Sequence, residues 1–249
     1  MIALLLSILS STLIFVVFKL FDRFKINTLH AIVVNYFVAF FCGLFFYKGD
    51  LTLAHVPAQP WFYYTLGLGA LFIIIFNLMA ITTQRSGLSV VSVATKMSVV
   101  IPVVFGLVYY KESLGILKVL GIVLALIAVY LASIKTKDGI TIEKKNIIYP
   151  LLVFLGSGFI DTSIKYLEDT MVAEDEVALF SAIIFSAAAI IGVFILIFQA
   201  IKGTVRFQFK TIIGGIALGF ANYFSIYYII QALRSNILES SGVFTVNNV

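Results

Sequence analysis

The stretch Leu88–Tyr110, LSVVSVATKMSVVIPVVFGLVYY, decides how the chain folds. It is apolar and long enough to cross a lipid bilayer as a helix, which takes about 20 residues. Lys96 lies near its middle, where a lysine costs roughly 2.5–3.5 kcal/mol on insertion scales unless a partner, a cavity or snorkelling relieves it. Pro102 follows, and because its ring crowds the carbonyl of Ser98, we expect the helix to bend one turn after the charge. A buried cation beside a bend is typical of a solute pathway.

The composition of the whole chain is that of a helical membrane protein. Of the 249 residues, 61% are hydrophobic and 12% are charged, whereas a soluble domain carries about 25% charged residues. The long apolar runs lack the alternation of barrel strands, so we predict an all-α, multi-pass protein of the cell inner membrane. The net charge of +5 lies mostly in loops and therefore predicts orientation, not nucleic-acid binding. The single cysteine, Cys42, allows no internal disulfide and no cysteine-rich metal site.

The apolar runs divide into eight complete spans and the start of a ninth at Ile237. Short connections between them predict that successive helices are antiparallel neighbours. The eight spans are Ile2–Phe21, Thr28–Tyr47, Trp61–Thr83, Leu88–Tyr110, Ile116–Ile134, Ile147–Leu167, Val177–Ile201 and Thr211–Leu233.

The two halves of the chain resemble each other. LLLSILSSTLIFVVFKLFD from Leu4 aligns with PLLVFLGSGFIDTSIKYLE from Pro150 at a shift of 146 residues, and from the second span onward the shift is 149, which pairs Gly43 with Gly192. Chance similarity of apolar segments is the alternative, although polar and glycine positions match too. Five spans per repeat is an odd number, so the second copy would be inverted in the membrane.

We therefore predict a ten-helix bundle of two inverted five-helix repeats. The first repeat is residues 1–134, a basic linker follows at 135–146, and the second repeat is residues 147–249. At a shift of 149 the second copy would end well beyond Val249. We expect it to be C-terminally incomplete, with the last one and a half helices missing from this chain.

This pattern resembles the drug/metabolite transporter superfamily, in particular its EamA-type transporters. The best local match runs from the QRSGLS turn at Gln84, through the Pro102 helix and the KESL turn at Lys111–Leu114, into the helix GIVLALIAVYL. The resemblance implies ten helices in two inverted repeats around a substrate cavity, and the movement of small organic solutes, often as metabolite export. We expect a transporter for a solute of the amino acid or metabolite class that works by alternating access through that cavity.

Polar residues well inside the spans are candidates for the cavity wall. Lys96 and Asp161 are the two charged ones, and their depths along the membrane differ by roughly 9 Å, so we expect a solute or water between them more than an ion pair. Binding to helix carbonyls is the alternative for Lys96, and interhelical packing is the alternative for each asparagine. The Gly215 and Gly219 pair predicts a packing seam on the eighth span. The substrate-binding candidates are Lys96, Asn77, Asp161, Ser92, Ser157, Asn222, Tyr223 and Asn247, with Pro102 as the helix bend.

No motif in the sequence favours an enzyme, since HExxH, the P-loop and GxSxG are all absent. We expect no catalytic residue, cofactor or metal. The expected partners are a small-molecule solute and the lipid bilayer, with a coupled proton as a further candidate and without nucleic acid; the sequence does not give the oligomeric state. The alternative function is a membrane scaffold or sensor that moves no solute and fills its centre with apolar packing.

Loop charges predict the orientation in the membrane. Loops after odd-numbered spans hold most of the lysines and arginines, which places them in the cytoplasm and the N-terminus outside; members of the family commonly have a cytoplasmic N-terminus. After replacement of Cys42, an impermeant thiol reagent on intact cells should label a cysteine at Gly49 and leave one at Thr136 unlabelled. Labelling at Thr136 alone would reverse the assignment.

Overall fold

The structure is a computed structural model that describes residues 2–111, 115–134, 147–203, 208–235 and 237–248. These residues form ten α-helices and two short 3-10 segments, without a β-strand among them. The predicted linker 135–146 and residues 112–114 of the KESL turn lie outside the described residues. The helices are α1 (Ile2–Arg23), α2 (Thr28–Phe46), α3 (Phe62–Ser86), α4 (Leu88–Met97), α5 (Val100–Tyr109), α6 (Ile116–Ile134), α7 (Ile148–Thr170), α8 (Val177–Ile201), α9 (Phe209–Arg234) and α10 (Ser240–Asn248).

The helices are those of a multi-pass membrane protein. In the described part of the chain, six stretches are long and apolar enough to cross a bilayer. The fourth of them takes in both α4 and α5, and α6 contributes a shorter apolar segment, Val119–Ala128. The six are Ile2–Arg23, Thr28–Phe46, Phe62–Thr83, Leu88–Tyr109, Glu174–Ile201 and Phe209–Arg234.

The ninth span begins later than the hydropathy pattern predicts. Ile237 and Leu238 lie in a bend, and α10 begins at Ser240. The first helical backbone bond runs from the Val243 N–H to the Glu239 carbonyl at 3.0 Å. Hydropathy alone extended the span because the two residues before Glu239 are apolar, although they precede the first turn.

The stretch Leu88–Tyr110 is one helix interrupted at Ser98 and Val99. Pro102 has no N–H for the Ser98 carbonyl, which accepts a tighter bond from the Ile101 N–H at 2.9 Å. Ser98 and Val99 both keep right-handed helical backbone angles. The helix is therefore wound more tightly for one turn, as in a 3-10 helix, and is not unwound. Regular bonding resumes where the Val103 N–H donates to the Val99 carbonyl at 3.0 Å.

A single residue, Gly87, connects α3 to α4. Its φ of 97° and ψ of 158° belong to a region that side chains rarely adopt. The Gly87 N–H donates to the carbonyls of Thr83 and Thr82, at 3.0 and 3.2 Å, and so closes the last turn of α3. The chain then enters α4 at the next residue, and this turn is the QRSGLS segment of the sequence.

The described chain divides into two compact units, each with parts of both predicted repeats. The first, named here the Lys96 unit, comprises Ile75–Ile164 and Ala232–Val249. The second, named the Trp61 unit, comprises Ile2–Ile74 and Lys165–Gln231.

Small residues bring α2 and α8 together in the Trp61 unit. A Cβ added to Gly43 would lie 2.5 Å from the Cβ of Ala182, and one added to Gly192 would lie 2.7 Å from Cγ2 of Val33. Neither position has room for a side chain. The hydrophobic effect does not drive helices together in lipid, because lipid tails are as apolar as the side chains. Van der Waals packing at such close backbone contacts is therefore a main source of helix association in membranes.

The contacts between α2 and α8 are reciprocal. The predicted repeat alignment, with its shift of 149, pairs Gly43 with Gly192 and Val33 with Ala182. Gly43 contacts Ala182, and Gly192 contacts Val33, so the alignment converts each contact into the other. Tyr36 corresponds to Phe185, and these two rings stack on each other with centroids 6.2 Å apart. Reciprocal contacts of this kind are what the predicted inverted repeats would produce.

The predicted seam on α9 is confirmed, and it faces α2. A Cβ on Gly215 would lie 2.5 Å from the Cβ of Val34, and one on Gly219 would lie 2.6 Å from the Cβ of Val38. The backbone of α9 therefore lies directly on α2, as small-xxx-small sequences allow.

Replacement of Gly87 by alanine should destabilise the protein by about 1–3 kcal/mol, because a Cβ is strained at this backbone conformation. The matched control is Gly67→Ala on α3, where an added Cβ meets nothing within 4 Å. That change should be neutral or stabilising by up to about 1 kcal/mol, since alanine is the better helix former. The unfolding midpoint of the purified protein in detergent measures both. Equal midpoints for the two variants would show that the Gly87 conformation is not required.

Candidate functional site

Two polar side chains share one face of α4, because Ser92 and Lys96 are four residues apart. Both are half-buried. The Lys96 ammonium donates a hydrogen bond of 3.1 Å to the backbone carbonyl of Asn247 on α10. An ammonium has three N–H donors, so this bond uses one of them. The contact is of the carbonyl-binding kind that the sequence left open as the alternative role for this lysine.

The helix interruption beside Lys96 is covered by α7. A Cβ added to Gly158 would lie 2.8 Å from the Ser98 carbonyl oxygen and would also collide with Ile101. Only glycine fits at this point, so the backbone of α7 lies directly against the interrupted turn. The carbonyl that Pro102 leaves without its regular donor is thereby kept away from lipid.

Asp161 lies one turn beyond this contact on α7. Its neighbours on the same face are interior residues, since Ser157 and Ile164 are only 8% and 2% exposed. Asp161 itself is half-buried. Among the residues that the structure describes, none forms a hydrogen bond or an ion pair with its carboxylate. A carboxylate on the interior face of an apolar helix bundle is costly unless water, a proton or a bound solute satisfies it.

Most of the sequence-predicted site residues belong to the Lys96 unit. Asn77 lies half-buried on α3, and the side chain of Asn247 is buried on α10. No described ion pair joins Lys96 to Asp161. The candidates in this unit are Lys96, Asn77, Asp161, Ser92, Ser157 and Asn247, together with Pro102 at the start of α5.

Asn222, in the Trp61 unit, forms a buried amide pair. Its Nδ2 donates to Oδ1 of Asn35 at 3.1 Å, and Nδ2 of Asn35 donates to the Ile32 carbonyl at 3.2 Å. Both asparagines are at most 1% exposed. This arrangement joins α9 to α2 and gives Asn222 the packing role that is common for asparagines in membranes.

Tyr223 is the innermost member of an aromatic cluster in the same unit. Its ring stacks on Phe46 and on Tyr227, with centroids 6.1 and 5.7 Å apart. The residue is fully buried, and its hydroxyl has no hydrogen-bond partner among the described residues. A phenol held in this way packs like a phenylalanine and keeps one donor for a bound molecule or water.

A cavity of about 570 Å³ lies between α5, α6 and α10 in the Lys96 unit. Its wall is apolar apart from Ser241 and Thr245. Met97 lines it, but Lys96 and the other predicted site residues do not. The polar candidates and this cavity are therefore separate features of the unit. Within the described residues, no group of three histidine, cysteine or acidic side chains is arranged to hold a metal ion.

Sequence reasoning missed the close approach at Gly158. Its signal was present in the segment GSG at residues 156–158, because two glycines in an apolar helix mark places where another backbone comes close. The partner of that approach could not be read from the sequence.

The helices and their interior polar groups define a class, the polytopic helical membrane protein. A family model for EamA-like transporters matches residues 1–134, more than half of the chain. The chain therefore belongs to the EamA-like transporter family, a part of the drug/metabolite transporter superfamily, and the resemblance seen in the sequence is confirmed. It is also similar to an uncharacterized protein of Haemophilus influenzae, with 27% identity over 254 aligned residues that cover 99% of this chain and 84% of that protein.

Proposed function

We propose that this membrane transporter moves a small organic solute of the amino acid or metabolite class, by alternating access through a central cavity between inverted repeats. The observation that carries the proposal is the pair of half-buried charges, Lys96 and Asp161, on interior faces of a unit in which no described ion pair joins them. Charged side chains in the interior of a membrane bundle that are not neutralised by an opposite charge typically mark a substrate or ion pathway.

Reciprocal contacts in the Trp61 unit support the inverted repeats. Between α2 and α8, the Gly43–Ala182 contact and the Gly192–Val33 contact are exchanged by the repeat alignment. A second correspondence lies at the helix ends. Trp61 donates to Glu176 at 2.9 Å, and Lys210, which is the counterpart of Trp61, donates to the Phe24 carbonyl at 2.8 Å. Phe24 is three residues from Asn27, the counterpart of Glu176, so both contacts join corresponding parts of the chain.

In this proposal Lys96 binds the anionic group of the solute. The bond to the Asn247 carbonyl orients the ammonium and leaves two N–H donors for a carboxylate or a phosphate. Ser92, one turn earlier on the same face, supplies a neutral hydroxyl, and Asn77 and Ser157 supply further polar groups within the same unit. Asn222 has a lesser part here than the sequence suggested, because Asn35 already engages its amide.

Asp161 is the proposed site of the coupled proton. A proton neutralises the carboxylate when solute is absent, and its release restores a charge on the interior face of α7. The position suits this role because α7 contacts the interrupted turn of α4 and α5 one turn away, at Gly158. A change of charge at Asp161 therefore acts on the part of the bundle where the helix is least regular.

Transport by the purified full chain can be measured as counterflow in liposomes with pooled amino acids and metabolites. Lys96→Met should lower the rate about 10–100-fold, the range for loss of a hydrogen bond to a charged group. Lys96→Arg should restore little, since guanidinium is planar and broader. The control is Lys210→Met, which removes another lysine that donates to a backbone carbonyl, at an exposed position. Wild-type transport by well-inserted Lys96→Met would contradict the assignment; no counterflow of any pooled solute by the wild-type chain would favour the scaffold or sensor.

Proton coupling is tested by imposing a pH gradient across the same liposomes. The wild-type rate should change with the gradient, whereas Asp161→Asn should be insensitive to it and still support counterflow, because the amide cannot exchange a proton. Asp169→Asn is the matched control on the same helix, where the side chain is exposed and paired with Lys165 at 3.5 Å. A gradient response that survives in Asp161→Asn would place the coupling elsewhere.

A further inference from the structure

Four helix ends meet at one end of the Trp61 unit. The His30 Nε2 atom near the start of α2 donates to Oε1 of Gln199 near the end of α8 at 3.3 Å. Lys210 at the start of α9 donates to the Phe24 carbonyl just after α1. A Cβ on Gly214 would lie 2.8 Å from the ring of Phe21, which again joins α9 to α1. The charged residues on these four helix ends therefore share one end of the unit.

This end, named here the basic end, carries five exposed basic side chains and one acidic side chain among the described residues. They are Lys19, Arg23, Lys25, Lys202 and Lys210, with Asp22 as the acid. The other end of the same unit, where α2 ends and α8 begins, carries six acidic side chains and two lysines among the described residues. Those are Asp50, Glu168, Asp169, Glu174, Asp175 and Glu176, with Lys48 and Lys165.

Several of the basic side chains are held in place. The Lys202 ammonium lies 4.2 Å from the ring centre of Phe198, and the Arg23 guanidinium lies 5.8 Å from that of Phe24. Lys210 is fixed by its bond to the Phe24 carbonyl. Ordered cations lose less freedom when they bind an anion, so the basic end is better prepared for a ligand than free surface lysines are.

Exposed apolar side chains surround the same charges. Phe24 is 54% exposed, Phe209 is 77% exposed and Ile201 is 80% exposed. Phe24 follows the first candidate span, Ile201 ends the fifth and Phe209 begins the sixth, so all three lie where the hydrocarbon core meets the headgroups. A ligand that satisfies both features has an anionic head and an apolar tail.

We propose that the basic end of the Trp61 unit is a binding site for an anionic phospholipid. The phosphate of the headgroup lies among Arg23, Lys25 and Lys202, and the acyl chains lie against the exposed flanks of α1, α8 and α9. Basic groups between membrane helices bind anionic headgroups in this way. The acidic character of the opposite end repels the same lipid, so the site belongs to one leaflet only. The site is independent of solute transport.

Binding can be measured by native mass spectrometry of the full chain in neutral detergent, with phosphatidylglycerol and phosphatidylcholine of identical acyl chains as probes. The wild-type chain should retain phosphatidylglycerol selectively, and added salt should weaken the binding. The variant Arg23→Gln, Lys25→Asn, Lys202→Gln should bind about 100-fold more weakly, since each basic residue near an anionic surface contributes about fivefold. Asparagine is chosen at Lys25 because its φ is 52°, and Lys210 is kept because it braces the loop.

Lys48→Gln, which removes a lysine from the opposite end, is the control and should bind as the wild type does. Equal retention of the two lipids by the wild-type chain would overturn the proposal, and so would wild-type affinity in the triple variant. Displacement of the lipid by millimolar inorganic phosphate would also overturn it, because the site would then recognise a free anion. If the triple variant fails to fold, the lipid comparison and salt dependence of the wild-type chain decide the question.

Discussion

The carbonyl oxygen of Ser98 is the point on which the Lys96 unit depends. Pro102 cannot donate to it, and a backbone carbonyl in hydrocarbon without a partner is costly. Two features satisfy or shield this carbonyl. It accepts a hydrogen bond from the Ile101 N–H, and the backbone of α7 at Gly158 covers the turn. Because that cover must be close, α7 has a fixed position against α4 and α5, and Asp161 and Lys96 lie near the interrupted turn on separate helices. Both charged side chains thus lie within about one turn of this contact, Lys96 just before Ser98 on α4 and Asp161 just after Gly158 on α7.

The Trp61 unit is stabilised by close packing at small residues and by a buried amide pair. Glycine and alanine let α2, α8 and α9 approach to backbone contact, and the buried Asn35–Asn222 pair adds a polar bond across α2 and α9. Such polar bonds average about 0.6 kcal/mol in membranes, so the many close contacts of small residues contribute more than any single amide. Its least exposed charges, Lys165 and Glu168, lie near the end of α7 and pair with each other at 3.5 Å. Its charges lie at the two ends and differ in sign.

Hydropathy predicted most of the helices well, since a bilayer demands long apolar runs whatever the tertiary structure. It missed the start of α10, because Ile237 and Leu238 are apolar but precede the first turn. The fold class and the family were accessible from periodicity and from the QRSGLS and Pro102 segments. Which polar residue meets which partner was not, because partners are set by packing between segments that are distant in sequence. Asn222 engages Asn35, and Lys96 engages a backbone carbonyl, a partner that carries no sequence signal at all.

The one-residue connection at Gly87 also sets the rotational phase of a helix. Each residue added to a helix turns it by roughly 100°. Because α4 starts at the residue after Gly87, no spare length exists to absorb a change, and the direction in which Lys96 points is inherited from the end of α3. One residue inserted into α4 between Gly87 and Lys96 would carry the ammonium about a quarter of the way around the helix relative to the end of α3, while leaving every hydrophobic run intact. The number of residues between Gly87 and Lys96 is thus a requirement on this chain that the hydrophobicity of α4 does not set.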